Sequence, residues 1–193
     1  MKNRYVALIG LIWCFLIPLH VHAQLRGDGL KTAIIQYNYI VGDNTMELVQ
    51  YSDNYGAKLC FKYDYQGTPF ATIVTNDSVF EINYAIKAYK AYQRPEEDIN
   101  FNALTPEIIK KYNVEAAGSI EFLGKNCTVY TSTITNSDVT KITVWLYQGI
   151  ELRRVTEFAD NQTTDLVAIS LEENPEISVE TFKVPRDFDF YKE

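Results

Sequence analysis

The side chains that most often do chemistry near neutral pH are few in this chain, and their positions limit what it can do. Both histidines, His20 and His22, lie in the stretch PLHVHAQ at residues 18–24. The cysteines are Cys14, Cys60 and Cys127. Carboxylates are plentiful, and a pair such as Glu47 and Glu81 could share acid–base work, but nothing in the spacing brings one pair together. Arg26-Gly27-Asp28 matches an integrin-binding tripeptide, a three-residue pattern that arises often by chance. Arg153 and Arg154 alternate along an extended segment, so at most one can point into a cavity, and Arg154 shares parity with Leu152 and Phe158.

The histidines belong to a segment with its own logic. Lys2 and Arg4 give a basic start, Val6 to Leu16 form a short apolar run, and Val21 and Ala23 stand at the −3 and −1 positions of a small-residue cleavage site. That order is a secretory signal peptide over residues 1–23, cut between Ala23 and Gln24. The remaining 24–193 then contain no histidine, which removes the commonest general base and the commonest zinc ligand. No catalytic residue, metal site or cofactor is expected, and the chain reads as a non-enzyme. No transmembrane span is expected once the leader is gone.

Residues 24–193 suit one domain with a proper core. Loss of Lys2 and Arg4 moves the net charge from −7 to −9, and no basic face marks a nucleic-acid binder. Cys60 and Cys127 would enter an oxidising compartment, where a bond between them would stabilise by roughly 4 kcal/mol on the chain-entropy model. Strand parity opposes the bond. In AKLCFKYDY, Leu59, Phe61, Tyr63 and Tyr65 share one face, and Cys60 goes with Lys58, Lys62 and Asp64 to the other. The sequence leaves the pair open.

The elements that would position these groups are mostly strands. From Thr32 the dominant signal has period two, beginning with IIQYNYIV, where Ile35, Tyr37, Tyr39 and Val41 share a side. Polar turns such as Gly42-Asp43-Asn44 and Asn54-Tyr55-Gly56 separate the following runs, as in an antiparallel meander. Tyr84 to Gln93 fits either a strand or a helix. One helix stands out in LTPEIIKKY: Thr105 caps it, Pro106 suits its first turn, and Ile108, Ile109 and Tyr112 form its apolar stripe. The fold class is mainly β with few helices (α+β).

The closing third resembles a known group. GSIEFLGKNCTVYT, ITVWLYQGIELRR and NPEISVETFKVPRDF are similar, in order and pattern, to the bacterial periplasmic lipoprotein carriers, LolA-like and LolB-like. The resemblance implies a strongly curved antiparallel sheet, a half-open barrel with a short covering helix. It also implies a hydrophobic ligand on the concave face, held without catalysis. Carriers begin with a sizeable helix, for which this chain offers only Gln24 to Lys31, so Thr105 to Tyr112 must cover more.

The residues that would line such a face are Tyr37, Tyr39, Leu59, Phe61, Tyr63, Phe80, Ile82, Ile109, Tyr112, Val144, Leu146 and Leu152. The same residues would serve a fully packed core. The implied partners are lipid or lipoprotein acyl chains. The alternative is another envelope protein docked on tyrosine-rich surface or edge strands.

Overall fold

Twelve strands, one α-helix and a 3-10 turn account for the regular structure of the computed structural model, which describes residues 29–75, 77–94, 99, 101, 104–134 and 137–191. The expected leader, its Ala23/Gln24 cleavage site and the Arg26–Asp28 tripeptide lie outside the described residues. The first meander comprises β1 (Ala33–Val41), β2 (Asn44–Asp53), β3 (Lys58–Tyr65), β4 (Thr68–Val74), β5 (Ser78–Asn83) and β6 (Ala88–Gln93). The helix α1 (Pro106–Tyr112) precedes β7 (Val114–Phe122), β8 (Lys125–Thr133), β9 (Val139–Tyr147), β10 (Ile150–Phe158) and β11 (Thr163–Glu173). A 3-10 turn at Val179–Phe182 and the two-residue β12 (Asp189–Phe190) close the described chain. The ambiguous Tyr84–Gln93 segment resolves into a turn through residue 87 followed by β6.

All strands join one sheet in the order β12-β6-β5-β4-β3-β2-β1-β11-β10-β9-β8-β7, which is not closed into a barrel. Every pairing is antiparallel except β12 on β6. Tight hairpins follow from two-residue turns with both central φ values positive, as at Gln66-Gly67 and Gln148-Gly149. Such turns match the right-handed twist of the flanking strands. Register shifts between Gln36 and Tyr37, Ala116 and Gly118, and Glu151 and Arg153 are bulges, which bend a strand and add twist.

The strand order makes the chain cross the sheet twice. The connection from β6 to β7 must travel from near one edge to the other, and the segment through Ile99, Phe101, Leu104 and α1 packs on Val114, Ile142 and Val144. The return from β11 to the β6 edge crosses the opposite face. There Phe182, Val184 and Phe188 pack on Cys60, Ala71, Ile73 and Ile82. Each crossing therefore covers part of one face.

The α1 signals act as their residue types dictate. The Thr105 side chain accepts from the Ile108 N–H, Pro106 opens the helix, and Asn113 ends it in the left-handed region at φ 46°. Ser132 Oγ donates to the Tyr112 carbonyl at 2.6 Å, which ties the helix end to β8. The stripe is narrower than expected. Ile108 and Tyr112 pack on the cluster beneath, whereas Ile109 is 41% exposed. A helix of seven residues presents fewer than two full turns, so only one isoleucine can face inward. Ile109→Ala should therefore change stability by no more than about 0.5 kcal/mol in urea unfolding. Ile108→Ala should cost clearly more, and equal costs would reverse the assignment.

Candidate functional site

Register places the candidate residues on faces without ambiguity, because directly opposed residues share a face. One row reads Ala168, Tyr37, Leu48, Tyr63, Phe70, Asn83, Ala88 from β11 to β6. The next reads Ile35, Gln50, Phe61, Thr72, Glu81, Lys90. In the other direction Tyr39, Leu166, Arg154, Val144 and Tyr130 stand in line. These residues define the Tyr37 face.

Tyr37, Tyr39, Leu59, Phe61 and Leu152 fall together in the central cluster, with Tyr63 packed at its border. Val144, with Leu146 and Tyr112 against it, belongs to the cluster under α1. Phe80 and Ile82 differ from the expectation. They line up with Cys60, Ile73, Ala71 and Tyr89 on the opposite face, beneath the C-terminal crossing. Val79 and Glu81 take the Tyr37 side of β5. Glu47, opposed to Asn38, also stands on the other face from Glu81, so those two carboxylates do not form a pair. Cys60 and Cys127 are buried free thiols in different clusters, and burial pushes the Cys60 thiol up to about 11.

Two polar features sit within the Tyr37 face. The first is a buried ion pair: Arg154 donates from Nε and Nη2 to the two Glu151 carboxylate oxygens, each at 2.8 Å. Its guanidinium lies 5.8 Å from the Phe101 ring centroid, and Tyr37 Oη donates to the Glu151 carbonyl at 2.8 Å. Arg153 turns the other way, pairing with Asp165 and stacking 4.8 Å from the Trp145 ring. The second feature is Glu81, whose Oε1 accepts from Tyr92 Oη at 2.6 Å. Burial, then the Glu81 carboxylate, raises the Tyr92 phenol well above its ordinary value.

Between the β3–β4 and β5–β6 hairpins this face is left open. A cleft of about 280 Å³ is lined by Tyr63, Tyr65, Phe70, Glu81, Lys90 and Tyr191, with Asn83, Ile86, Ala88, Ile82 and Tyr89 completing it. Tyr63 and Phe70 stack at 5.6 Å with their planes 16° apart, and Lys90 Nζ stands 5.4 Å from the Tyr191 ring. Of the residues expected to line a ligand face, Tyr63 lines this cleft from the Tyr37 face, and Ile82 borders it although its side chain packs on the opposite face. Ile109 stands exposed on α1, and the others pack in the covered clusters. Phe70, Glu81, Lys90 and Tyr191 carried no distinguishing signal: their relation depends on which way β5 faces and on where the chain end lands.

The buried phenols set an alkaline limit. Burial raises the Tyr39 hydroxyl to about 12, against a smaller opposing effect of Thr164. The folded state then holds its proton where the unfolded state has lost it. Stability from this group is complete below pH 10 and falls as pH rises from 10 towards 12. The slope should approach about 1.4 kcal/mol per pH unit and shrink in Tyr39→Phe, read by urea unfolding at pH 9 and 11. An unchanged slope in the variant would show that Tyr39 does not contribute.

Among the described residues no group of three His, Cys, Asp or Glu could hold a metal ion. No helix among them is long and apolar enough to cross a membrane.

No family model matches the sequence, and no curated protein sequence matches it. Solved structures do share the fold. An uncharacterized conserved protein from Thermus thermophilus superposes with a TM-score of 0.63 at 8% identity, over 86% of this chain and 92% of that one. MucB in its complex with MucA, from Pseudomonas aeruginosa, gives 0.55 at 8% identity over 81% of this chain. The match spans 56% of the MucB chain. A LolA superfamily protein from Nitrosomonas europaea is also matched, at 8% identity and a TM-score of 0.37, over 81% of this chain and 90% of its own. At these identities the first two likenesses establish the fold.

Proposed function

We propose that this chain is a non-enzymatic binding protein of the bacterial envelope, periplasmic or secreted after loss of residues 1–23, that holds a hydrophobic ligand on the Tyr37 face of a half-open barrel. Residues 24–193 act as one domain in this reading. The observation that carries it is the cleft between the β3–β4 and β5–β6 hairpins. Aromatic walls around a few polar groups are the usual make-up of a small-molecule site. The covered parts of the same face are filled by side chains, so the open end is where a ligand has room.

Native mass spectrometry of gently purified protein, with displacement of a hydrophobic dye, tests the reading. Wild type should bind the dye, and Ala88→Trp should lose most of the binding by filling the cleft. Dye binding that survives Ala88→Trp, or no binding by wild type, would count against a ligand site here. A second reading, docking of another envelope protein, is favoured by one observation: the similar MucB fold is seen in complex with MucA. Cross-linking in intact cells that recovers one defined protein partner, with no bound lipid, would favour it.

A further inference from the structure

We propose that the free edge of β7 receives an extended basic segment of a partner protein as an added strand, seated on residues 118–122 and selected by Glu115 and Glu121. This rests on the second reading, a protein partner, and is independent of the cleft.

β7 ends the sheet, hydrogen-bonded to β8 on one side and, among the described residues, to no strand on the other. The crossing through α1 packs on its first residue, Val114, and all seven residues 115–121 are exposed. Both faces of β7 and its outer edge are therefore open together. The outward N–H and C=O groups of such an edge are a template for another strand, and natural edges are usually blunted by Lys, Pro, a bulge or a cover. β7 contains neither Lys nor Pro. Its bulge lies between Ala116 and Gly118, so residues 118–122 keep unbroken register with β8. In the middle of that run stands Ile120, 48% exposed and outside the three apolar clusters.

Charge selects the occupant. Glu115 and Glu121 are the charged residues of β7, and neither has an ion-pair partner among the described residues. The bulge puts them on opposite faces: Glu115 is opposed to Thr131 and Glu121 to Asn126, an odd number of positions apart on β8. An added strand therefore meets one carboxylate on each face. Opposite charges across a strand pair stabilise it, and like charges repel. A basic segment with an apolar residue facing Ile120 satisfies all three side chains, and an acidic one does not. A second copy of β7 would gather four carboxylates on one seam with no cation from either strand. In strand addition the backbone pairing supplies affinity and the side chains supply the choice of partner.

The test titrates the full chain into short fluorescein-labelled peptides of alternating Val and Thr, carrying lysines in the probe and glutamates in the control, and reads anisotropy. Wild type should bind the lysine peptide at least about tenfold tighter than the glutamate peptide. Glu115→Lys/Glu121→Lys should reverse that order and leave dye binding in the cleft as in wild type. Ile120→Thr, which keeps a β-branched residue, should weaken the lysine peptide several-fold. N-methylation of alternate residues blocks one edge of a strand. Of the two such isomers of the lysine peptide, one should bind like the parent and the other at least about tenfold more weakly. Circular dichroism and thermal melting establish that each variant is folded. Should the double variant fail to fold, the two isomers still read strand addition on wild type. Equal behaviour of the isomers would overturn it, as would equal binding of the lysine and glutamate peptides, or of neither. Sedimentation showing a wild-type dimer that excess lysine peptide leaves intact would assign the edge to a second copy and overturn the basic partner. Cross-linking in intact cells that recovers the same defined partner from wild type and the double variant would overturn the β7 site and leave the docking reading standing.

Discussion

Replacing Arg154 with Met is expected to cost about 3–5 kcal/mol of folding stability, the usual consequence of leaving one partner of a buried ion pair behind. Arg154 and Glu151 are each 9% exposed, and Arg154 satisfies both carboxylate oxygens of Glu151. Without it the carboxylate is a buried charge, or must take up a proton at the cost of its ionisation. Glu151→Leu combined with Arg154→Met should recover much of the loss, since apolar groups of similar volume replace buried ion pairs at little or no cost. Arg153→Met supplies the comparison. Its pair with Asp165 is 35% and 22% exposed, so the loss should be about 1 kcal/mol or less. Urea unfolding of the four proteins reads all of this. A single Arg154→Met variant within about 1 kcal/mol of wild type would mean that Glu151 stays solvated after the change.

That pair also shows where the sequence stops being legible. Parity favours Arg154 as the inward arginine of the two, but Glu151 is three residues away, and strand alternation puts such residues on opposite faces. The register shift between Glu151 and Arg153 inserts one residue and turns both side chains to the same side. A bulge of this kind has no fixed composition, so the partner is invisible before the structure. The strands and α1 were easier, because period two, paired turn residues and an N-cap act locally.

The assignment of β5 fails for a different physical reason. Its two alternating sets are Val79, Glu81, Asn83 and Ser78, Phe80, Ile82, and a sheet covered on one side would bury the second. This sheet is covered on both sides at β3–β5, by the central cluster on one face and by Phe182, Val184 and Phe188 on the other. Where both faces are buried, alternation no longer says which is inner. The same crossing explains why Cys60, grouped by parity with Lys58 and Lys62, is nevertheless buried, at 1% exposure. The cleft was illegible in turn, because it needs Glu81 on the Tyr37 face and the chain end beside Lys90.

Opening that C-terminal crossing should expose Cys60 and leave Cys127 protected. Phe182 and Phe188 are half-buried and pack on the cluster holding Cys60, while Cys127 lies in the central cluster away from them. Truncating a fully buried Phe costs about 3–5 kcal/mol, so two half-buried rings together should weaken the crossing by roughly 2–4 kcal/mol. Each 1.4 kcal/mol raises the population of the open state about tenfold, and thiol modification through local opening follows that population. Burial also holds the Cys60 thiol up at about 11, so the closed state is slow to ionise as well as shielded. The Phe182→Ala/Phe188→Ala protein should therefore react with a maleimide at Cys60 roughly ten- to a thousandfold faster than wild type. Peptide mapping by mass spectrometry assigns the modified thiol. Cys127, 0% exposed, should keep its wild-type rate, because nothing that covers it has changed. Parallel acceleration at both thiols would mean global unfolding rather than release of the crossing. No acceleration at Cys60 would mean that Val184 and the β12 pairing hold the segment down without the two rings.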